Sequence, residues 1–590
     1  MNFANLLIVF SIAIFVATAI LLRLARNVNN HLHVARPRAN WIFCVYIFLV
    51  AVFLLFSAYS GLVGERPFAW FFFLSLLGVL SLYFAASSSA RMRKVAIIVV
   101  VLLVTVMSVL PSVQNGGILF GPDQLRDLGT AESIIERGNF LNVSTAVSGF
   151  YSIPFFSVLS AELSQVSGST AMMVIALLPV VFSLLLALSV YSIMMKLTNN
   201  SVISLLAILL IVSIPRLAVV QAISSTASIS LGGLLVLLCF VKGASSVRNI
   251  LLIASVVAFA ISALHPVGLI PILLICLGIL AISRFAAKSR LSPREYSFTK
   301  RMFGICLLIS LAFWSANNQV FVGVFAPLLK FLSIYTSFKT LPSVYSPQYY
   351  GAGFELFSFA WALPVAVSAA YLTLIWRGNG IGKRNSSSKL SRHVFNVVAI
   401  VGIILIAVSF VSLYLSPGAS VERYVDVPGY YLLVLSSSFV IGQFLLSPKK
   451  SIVLFAVVLL SAGIVIGARS PDWAPFENLS FGASRTTRLG FIEASTVVTF
   501  LPNSTFVYED HDIPVAELAS LEGKILPTGI SYQTTRNVLQ EFKSNSTTTL
   551  DTAYSGAVLI IKTDEIINQS LYSSDANILY NSGMHILVKP

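Results

Sequence analysis

The chain has 590 residues, of which 57% are hydrophobic and only 10% are charged, with a formal net charge of +15. A globular domain in water carries about 25% charged residues, so this composition excludes a soluble enzyme built on a Rossmann or TIM-barrel core. Most Lys and Arg residues lie between apolar runs rather than in one basic patch. They therefore act as signals of membrane topology, and no nucleic-acid partner is expected.

Uninterrupted apolar runs fill most of residues 1 to 468 and predict transmembrane helices, which need about 17 to 25 apolar residues each. The runs lie near 3–22, 41–63, 68–87, 95–112, 170–195, 201–218, 220–241, 249–264, 266–283, 302–319, 353–376, 394–415, 427–446 and 451–468. We therefore predict an all-α polytopic membrane bundle of about 14 transmembrane helices (range 12–14). A small extracytoplasmic α/β domain is expected to follow it.

The basic residues predict the orientation of the bundle. When the loop after the first run is placed in the cytoplasm, 23 Lys and Arg residues before position 469 face inward and 7 face outward. Because positive loops stay on the cytoplasmic side, we expect a multi-pass protein of the cell membrane with both termini extracytoplasmic. Glu295 is the only acidic residue of this part that falls inside. Chemistry that needs a carboxylate is therefore expected at the outer face.

The composition becomes that of a soluble domain from Arg469 onward. Periodicity predicts helices at 484–501, 513–522 and 535–542, strands at 504–508 and 557–561, and a terminal hairpin of 577–580 with 584–588. We therefore divide the chain into an N-terminal transmembrane module at 1–112, a transmembrane core at 113–468 with an outer loop at 113–168, and an extracytoplasmic α/β domain at 469–590.

The first long outer loop carries the candidate chemistry. Asp123 and Asp127 are four residues apart, with Arg126 between them and Gly138 further along. On a helix this spacing puts both carboxylates on one face, and it gives Gly138 the place of a helix stop. An amphipathic surface helix whose charges are merely solvated explains the same pattern. A His265-Pro266 pair follows later, at the outer end of a predicted span.

Taken in order, these features resemble the GT-C superfamily of multi-pass glycosyltransferases that use polyprenyl-phosphate sugars, in particular forms found in archaea. The matching motifs are Asp123-x-x-x-Asp127, Ile134-x-x-x-Gly138, His265-Pro266, Glu422-Arg423-Tyr424 and Tyr580-x-x-Gly583. Four spans precede the Asp loop where the family core places one, so the first three resemble an added module. The tryptophans are never adjacent, so the W-W-D run of oligosaccharyltransferases is absent and a single-sugar transferase is expected.

The resemblance implies an inverting enzyme that moves a sugar from a polyprenyl-phosphate donor to an extracytoplasmic acceptor, which is a lipid-linked glycan, a glycolipid or a surface protein glycan. Such a transfer needs a base for the acceptor hydroxyl and a group that stabilises the departing phosphate. Asp123 is the expected base, and Asp127 assists it or orients the acceptor. The expected substrate-binding residues are Arg126, His265, Glu422 and Arg423. Capping of a helix end is the alternative for His265, and ion pairing with Glu422 or Asp426 is the alternative for Arg423.

Two other functions stay open at this point. One is a flippase or other transporter of lipid-linked sugars, although the spans carry no ionisable residue near the midplane, where transporters usually keep one. The other is a non-catalytic membrane scaffold whose outward tail binds a partner. No cofactor is expected, and the Asp pair is the one outer cluster that could hold a divalent cation. The expected partners are the lipid-linked donor, the acceptor and membrane lipids.

Overall fold

The computed structural model describes residues 40–63, 68–87, 89–114, 122–138, 155–212, 214, 224–240, 247–265, 267–285, 293–316, 352–376, 388–415, 422–447, 449–469, 507–509, 558–562, 577–581 and 585–589. Within these ranges the chain forms fifteen α-helices and four β-strands. The helices are α1 (Asn40–Val63), α2 (Phe68–Ala85), α3 (Ala90–Gln114), α4 (Pro122–Arg137), α5 (Phe155–Ser167), α6 (Ala171–Thr198), α7 (Ser201–Val212), α8 (Ser224–Phe240), α9 (Val247–Leu264), α10 (Ile270–Phe285), α11 (Pro293–Ala316), α12 (Ala352–Trp376), α13 (Ser388–Leu415), α14 (Glu422–Leu445) and α15 (Lys450–Arg469).

All of these helices except α4 and α5 coincide with predicted spans, and the first predicted span, 3–22, lies outside the described residues. Five of the described helices are long and apolar enough to cross a membrane by length and composition, and eight shorter apolar helices accompany them. The predicted helical membrane bundle is thus confirmed in kind, while the number fourteen stays a prediction.

Several helices begin earlier than the apolar runs that predicted them. α3, α11, α13 and α14 start at residues 90, 293, 388 and 422, where the runs start at 95, 302, 394 and 427. A helix satisfies its own backbone hydrogen bonds, so it continues past the apolar stretch into a polar first turn. This difference places Glu422 and Arg423 inside a helix.

The chain divides into two compact units. One comprises Met1–Leu110, Pro179–Val220 and Ser224–Ser480, and the other comprises Pro111–Leu178, Gln221–Ile223 and Phe481–Pro590. In the first unit α14 is the central helix, because it contacts α7, α10, α12, α13 and α15. Its side chains are almost all buried, and interhelical contacts fix it on several sides. The Ser368 and Ser436 hydroxyls lie 2.6 Å apart, and the rings of Phe395 and Phe439 stack at 4.3 Å.

Within the first unit, α2 links α1 to the surrounding helices. α1 packs on α2, where the Tyr46 and Ser81 hydroxyls lie 2.8 Å apart and the Trp70 indole N–H donates to Ser57 at 2.8 Å. α2 in turn contacts α7 and α15, and a Cβ atom on Gly78 would lie 3.4 Å from Leu209. A small residue at this point lets the helices approach closely, as is typical of membrane helix packing.

The second unit contains α4, α5 and a four-stranded sheet. The strands are β1 (Val507–Glu509), β2 (Val558–Lys562), β3 (Asn577–Asn581) and β4 (His585–Lys589), in the order β1-β2-β4-β3. β1 pairs with β2 in parallel, and the other two pairs are antiparallel, so the predicted terminal hairpin and both predicted strands are present. The predicted helices of this region lie outside the described residues, and its α/β character therefore stays a prediction.

Candidate functional site

The helix α4 carries the predicted Asp pair. It begins at Pro122, and proline suits the first helical position because it has no N–H group to leave unpaired there. Asp123 follows in the first turn, where the helix dipole favours a negative charge. At the other end Gly138 adopts φ +67°, and its N–H donates to the Ile134 carbonyl at 2.9 Å. The predicted helix stop is therefore confirmed.

The two Asp positions lie in line with the packed face of α4. Ala131 and Ile134 are buried, and α4 packs against α5. At about 100° per residue, positions 123 and 127 fall on the side of the helix that carries Ala131 and Ile134, one and two turns before them. Asp127 is half-buried, whereas Glu136 lies on the opposite side and is exposed.

A third carboxyl group on α4, that of Glu132, was assigned no role from the sequence. Burial, and secondly the charge of Glu136 one turn later, raise the pKa of Glu132 above its ordinary value. Glu132 lies well away from the Asp pair around the helix, because five residues separate it from Asp127. Glu132 therefore does not extend the Asp pair into a larger acidic cluster. As a half-buried carboxyl group on the same helix, it is a control position for substitutions of Asp123 and Asp127.

The second helix of this unit, α5, leads directly into the membrane. Its buried face consists of Phe156, Ser157, Ser160, Ala161 and Ser164. Gly168 ends the helix with φ +66°, and the Thr170 hydroxyl accepts from the Met173 N–H at 3.2 Å to cap α6. α4 is thus held by a helix that is itself tied to the start of an apolar span.

His265 lies directly after α9 in the first unit and is 9% exposed. Its backbone N–H donates to the Ile261 carbonyl at 2.8 Å, and its carbonyl accepts from the Gly268 N–H at 2.7 Å. Burial lowers the pKa of His265 to about 4. The imidazole is therefore neutral near pH 7 in this ligand-free state, and it would donate to a phosphate through one N–H group rather than as a cation.

The turn that holds His265 packs against the beginning of α8. A Cβ atom on Gly268 would lie 2.8 Å from the Ser228 hydroxyl and 2.9 Å from the His265 carbonyl oxygen. Four residues further along each of the two segments, a Cβ atom on Gly232 would lie 3.3 Å from Ile272. α8 and α10 therefore run side by side in the same direction, and His265 lies at the end where both begin.

Glu422 and Arg423 form the first turn of α14, and for these two residues the structure gives the helical position only. Asp426 follows one turn later and is 3% exposed. The sequence offered Asp426 only as a possible ion-pair partner of Arg423. The signal that could have singled it out is its place between valines in the apolar stretch that continues into the span.

The structure brings some of the predicted residues together. Asp123, Arg126 and Asp127 share the first two turns of α4 in the second compact unit. His265, Glu422 and Arg423 belong to the first unit, where His265 follows α9 and the other two residues lie in the first turn of α14. The contacts within that unit join α8 to α10 and α10 to α14, so the His265 turn and the first turns of α14 are linked through α10.

No family model matches the chain, and no curated protein matches it. Among solved structures the chain is similar to ArnT from Cupriavidus metallidurans in the apo state, with 13% identity, coverage of 85% of this chain and 98% of that one, and a TM-score of 0.48. The same protein bound to undecaprenyl phosphate gives a TM-score of 0.36 over the same shares, also at 13% identity.

A second similar structure is the oligosaccharyltransferase of Archaeoglobus fulgidus in the apo form, with 12% identity, coverage of 80% of this chain and 70% of that one, and a TM-score of 0.48. At such identities and TM-scores, no residue role and no substrate is carried over from either protein. The roles assigned below rest on this chain's own motifs, charges and packing.

Proposed function

We propose that the chain is a membrane glycosyltransferase that moves a sugar from a polyprenyl-phosphate donor to an extracytoplasmic glycan, glycolipid or protein-glycan acceptor. The observation that carries the proposal is the position of Asp123 and Asp127 in line with the packed face of α4. A pair of Asp positions in line with the buried residues Ala131 and Ile134, away from the exposed Glu136, supports a role in chemistry. The ordered motifs of the GT-C type, in the same chain, support the same function.

The reaction requires one new bond and one broken bond at the anomeric carbon. The acceptor hydroxyl oxygen attacks that carbon from the face opposite the phosphate, its proton passes to a carboxylate, and the bond to the phosphate oxygen breaks. We assign the proton to Asp123 and the orientation of the acceptor to Asp127. Arg423 and His265 are assigned to the departing phosphate, because a guanidinium fork and an imidazole N–H both donate to phosphate oxygens.

Arg126 and Glu422 are assigned to substrate hydroxyl groups. Arg126 lies within the Asp pair on α4, and Glu422 is adjacent to Arg423 at the start of α14. An Arg side chain donates to hydroxyl oxygens and a carboxylate accepts from hydroxyl groups, so each residue type suits a sugar hydroxyl. Neither residue needs to change its protonation state during the reaction.

Transport is the weaker alternative on the structure as well. Among the described residues, the buried Asp, Glu, His, Lys and Arg residues are His265 and Asp426, and both lie at helix ends rather than halfway along a span. A transporter concentrates such groups at the midplane, around broken helices. The outer-end location instead fits a reaction at the membrane surface, where a lipid phosphate is found.

The proposal is tested by Asp123→Asn in the full chain, assayed in membranes with a radiolabelled polyprenyl-phosphate sugar. The substitution keeps the size and polarity of the side chain but removes its basicity. We expect transfer to fall by roughly 10²- to 10⁴-fold, which is the usual contribution of a general base. Asp127→Asn should do less damage, because it leaves the base in place.

Glu136→Gln provides the matched control, because it removes an exposed carboxylate from the opposite side of the same helix. Its transfer rate should equal that of the wild type. Near-wild-type transfer by the Asp123→Asn protein would return α4 to the interpretation as a solvated surface helix. A loss of the same size in Glu136→Gln would instead attribute the effect to the charge of the helix as a whole.

A further inference from the structure

Asp426 is a buried carboxylate in the most heavily packed helix of the first unit. It is 3% exposed and is flanked on α14 by the buried residues Val425 and Val427. A carboxylate removed from water is costly unless a cation or several hydrogen-bond donors compensate it. In a membrane bundle, a buried ionisable residue is a candidate for a functional role, and its interaction partner indicates that role.

The contacts of α14 with its neighbours show on which side of the helix Asp426 lies. Tyr431 meets α8, where its hydroxyl would lie 3.7 Å from a Cβ atom on Gly233, and Gly429 meets Gly402 of α13. Asp426 and position 423 lie on the arc of the helix between these two contacts. α10 contacts α8, α13 and α14, so it occupies the same arc.

The depth of Asp426 matches that of the His265 turn. Asp426 precedes Tyr431 by five residues, as Ser228 precedes Gly233 on α8, which is about 7.5 Å along each axis. The predicted spans alternate in direction, and on that prediction α8 and α14 run the same way. Asp426 therefore lies at the level of Ser228, against which the turn of His265 and Gly268 packs.

Within the described residues, the helices on this arc of α14 carry few cations near the level of Asp426. Arg423 is the only Lys or Arg between residues 393 and 448, and it precedes Asp426 by three residues on the same side of α14. α8 carries no charged residue, and the first charged residue of α10 is Arg284 in its last turn. His265 is neutral near pH 7, because burial lowers its pKa to about 4. Of the cations on these helices, Arg423 is therefore the one nearest to Asp426 along the chain.

We propose that Asp426 is a positioning residue, whose carboxylate accepts from one edge of the Arg423 guanidinium and turns its other N–H groups toward the donor phosphate. This inference rests on the proposed function. A guanidinium offers five donors in a fixed plane, so one carboxylate can fix its orientation while other donors stay available to phosphate oxygens. Because Asp426 lies one turn deeper than Arg423, it can act without touching the donor.

The test uses the full chain in lipid nanodiscs and two measurements, binding of sugar-free polyprenyl phosphate and the donor KM in transfer. Asp426→Asn should weaken lipid-phosphate binding and raise the donor KM about tenfold, with a smaller change in kcat, as expected when binding common to ground and transition states is lost. Arg423→Gln should do at least as much. The double variant should be no worse than Arg423→Gln, because both changes disable the same contact.

Ser437→Ala is the matched control, since Ser437 is a buried polar residue of the same helix whose hydroxyl donates to the Val434 carbonyl at 3.3 Å. It should leave the donor KM unchanged. Additive effects of Asp426→Asn and Arg423→Gln, or wild-type lipid-phosphate binding by Asp426→Asn, would overturn the inference. If Asp426→Asn cannot be recovered as a folded protein, the double variant of Asp426→Asn and Arg423→Gln provides the test. We expect this double variant to be recovered and to bind the lipid phosphate weakly. Failure to recover it would also overturn the inference.

Failure of the proposed function gives a different pattern. If the chain binds polyprenyl phosphate through Arg423 and Asp426 but shows no transfer, or transfers normally as Asp123→Asn, the assignment of Asp123 falls and that of Asp426 stands. If Asp123→Asn abolishes transfer while Asp426→Asn changes neither binding nor KM, the reverse holds.

Discussion

Gly402 and Gly429 bring the backbones of α13 and α14 into direct contact. A Cβ atom on Gly429 would lie 3.3 Å from the Gly402 carbonyl oxygen, and one on Gly402 would lie 3.2 Å from the Gly429 carbonyl oxygen. Small residues at a crossing allow membrane helices to pack this closely. Gly429 is one turn from Asp426, so this contact fixes the part of α14 that carries the proposed phosphate-binding residue Arg423.

We expect Gly429→Ala to destabilise the protein and to raise the donor KM. The added methyl would lie 2.8 Å from the Ile406 side chain as well as against the α13 backbone, and such overpacking typically costs about 1–3 kcal/mol. Because α14 must move away from α13, Arg423 moves with it. Thermal unfolding in detergent and donor KM measure the two effects.

Gly304→Ala is the control for this prediction, because nothing lies within 4 Å of a Cβ atom at that position of α11. It should be neutral or stabilise the protein by up to about 1 kcal/mol through the higher helix propensity of Ala. If Gly429→Ala behaves like Gly304→Ala, the two helices are not in the close contact described.

The contact between Gly402 and Gly429 also shows what the sequence alone does not predict, namely which helices pack against each other. Apolar runs predicted where the helices lie, because a membrane span needs a minimum length of apolar residues and that pattern is local. Nothing in the runs says which glycine meets which helix, since that depends on packing between distant segments. The burial of Asp426 was missed for the same reason: its carboxylate is surrounded by helices that the local sequence does not identify.

The Asp pair of α4 was accessible to sequence reasoning because its spacing, its Pro start and its Gly stop are all local signals. What the sequence left open was which side of α4 packs. Ala131 and Ile134 are buried and show one packed side of α4, while the roles of Asp123 and Asp127 stay predictions. The burial of Asp426 on α14, by contrast, could be seen only in the folded arrangement.

We expect the stability of the protein to fall below neutral pH, and His265 to account for part of that fall. Burial lowers the pKa of His265 to about 4 from an ordinary value of 6.5. Between these two pH values His265 binds a proton in the unfolded chain but not in the folded protein. The free energy of unfolding therefore decreases as the pH falls through this range. The slope approaches about 1.4 kcal/mol per pH unit for one such group.

His265→Gln should therefore lose less stability than the wild type between pH 7 and pH 5, whatever its stability at pH 7. The melting temperature of both proteins in detergent, measured across that range, provides the comparison. Parallel curves for the two proteins would show that His265 is not the buried neutral group described. Bound polyprenyl phosphate should reduce the wild-type slope if His265 contacts the phosphate, because a nearby anion favours the protonated imidazole.

Glu132 is expected to act on stability in the opposite sense and without an effect on transfer. Burial and the charge of Glu136 raise its pKa, so its favourable contribution is complete at low pH and is lost as the pH rises through the raised value. Glu132→Gln should thus be more stable than the wild type at pH 7 and equal to it at low pH. Transfer at the wild-type rate, measured in the same membranes, would separate this carboxyl group from Asp123.

The last prediction concerns orientation. The excess of 23 basic residues on one side over 7 on the other, together with an even number of expected spans, predicts that residues 469–590 lie outside the cytoplasm. The four native cysteines, Cys44, Cys239, Cys276 and Cys306, all lie in apolar spans, so a variant with serines in their place provides a clean background.

In that background a Cys introduced at Ser546 should react with a membrane-impermeant maleimide in intact cells, because no membrane would separate it from the reagent. A Cys introduced at Ser386, between α12 and α13, is the paired control and should react only after lysis, since the basic loop around it is expected inside. Labelling of Ser386→Cys in intact cells with protection of Ser546→Cys would invert the topology and place the carboxylates of α4 on the cytoplasmic side. The donor would then have to present its sugar in the cytoplasm, and the proposed outer-face transfer would be wrong.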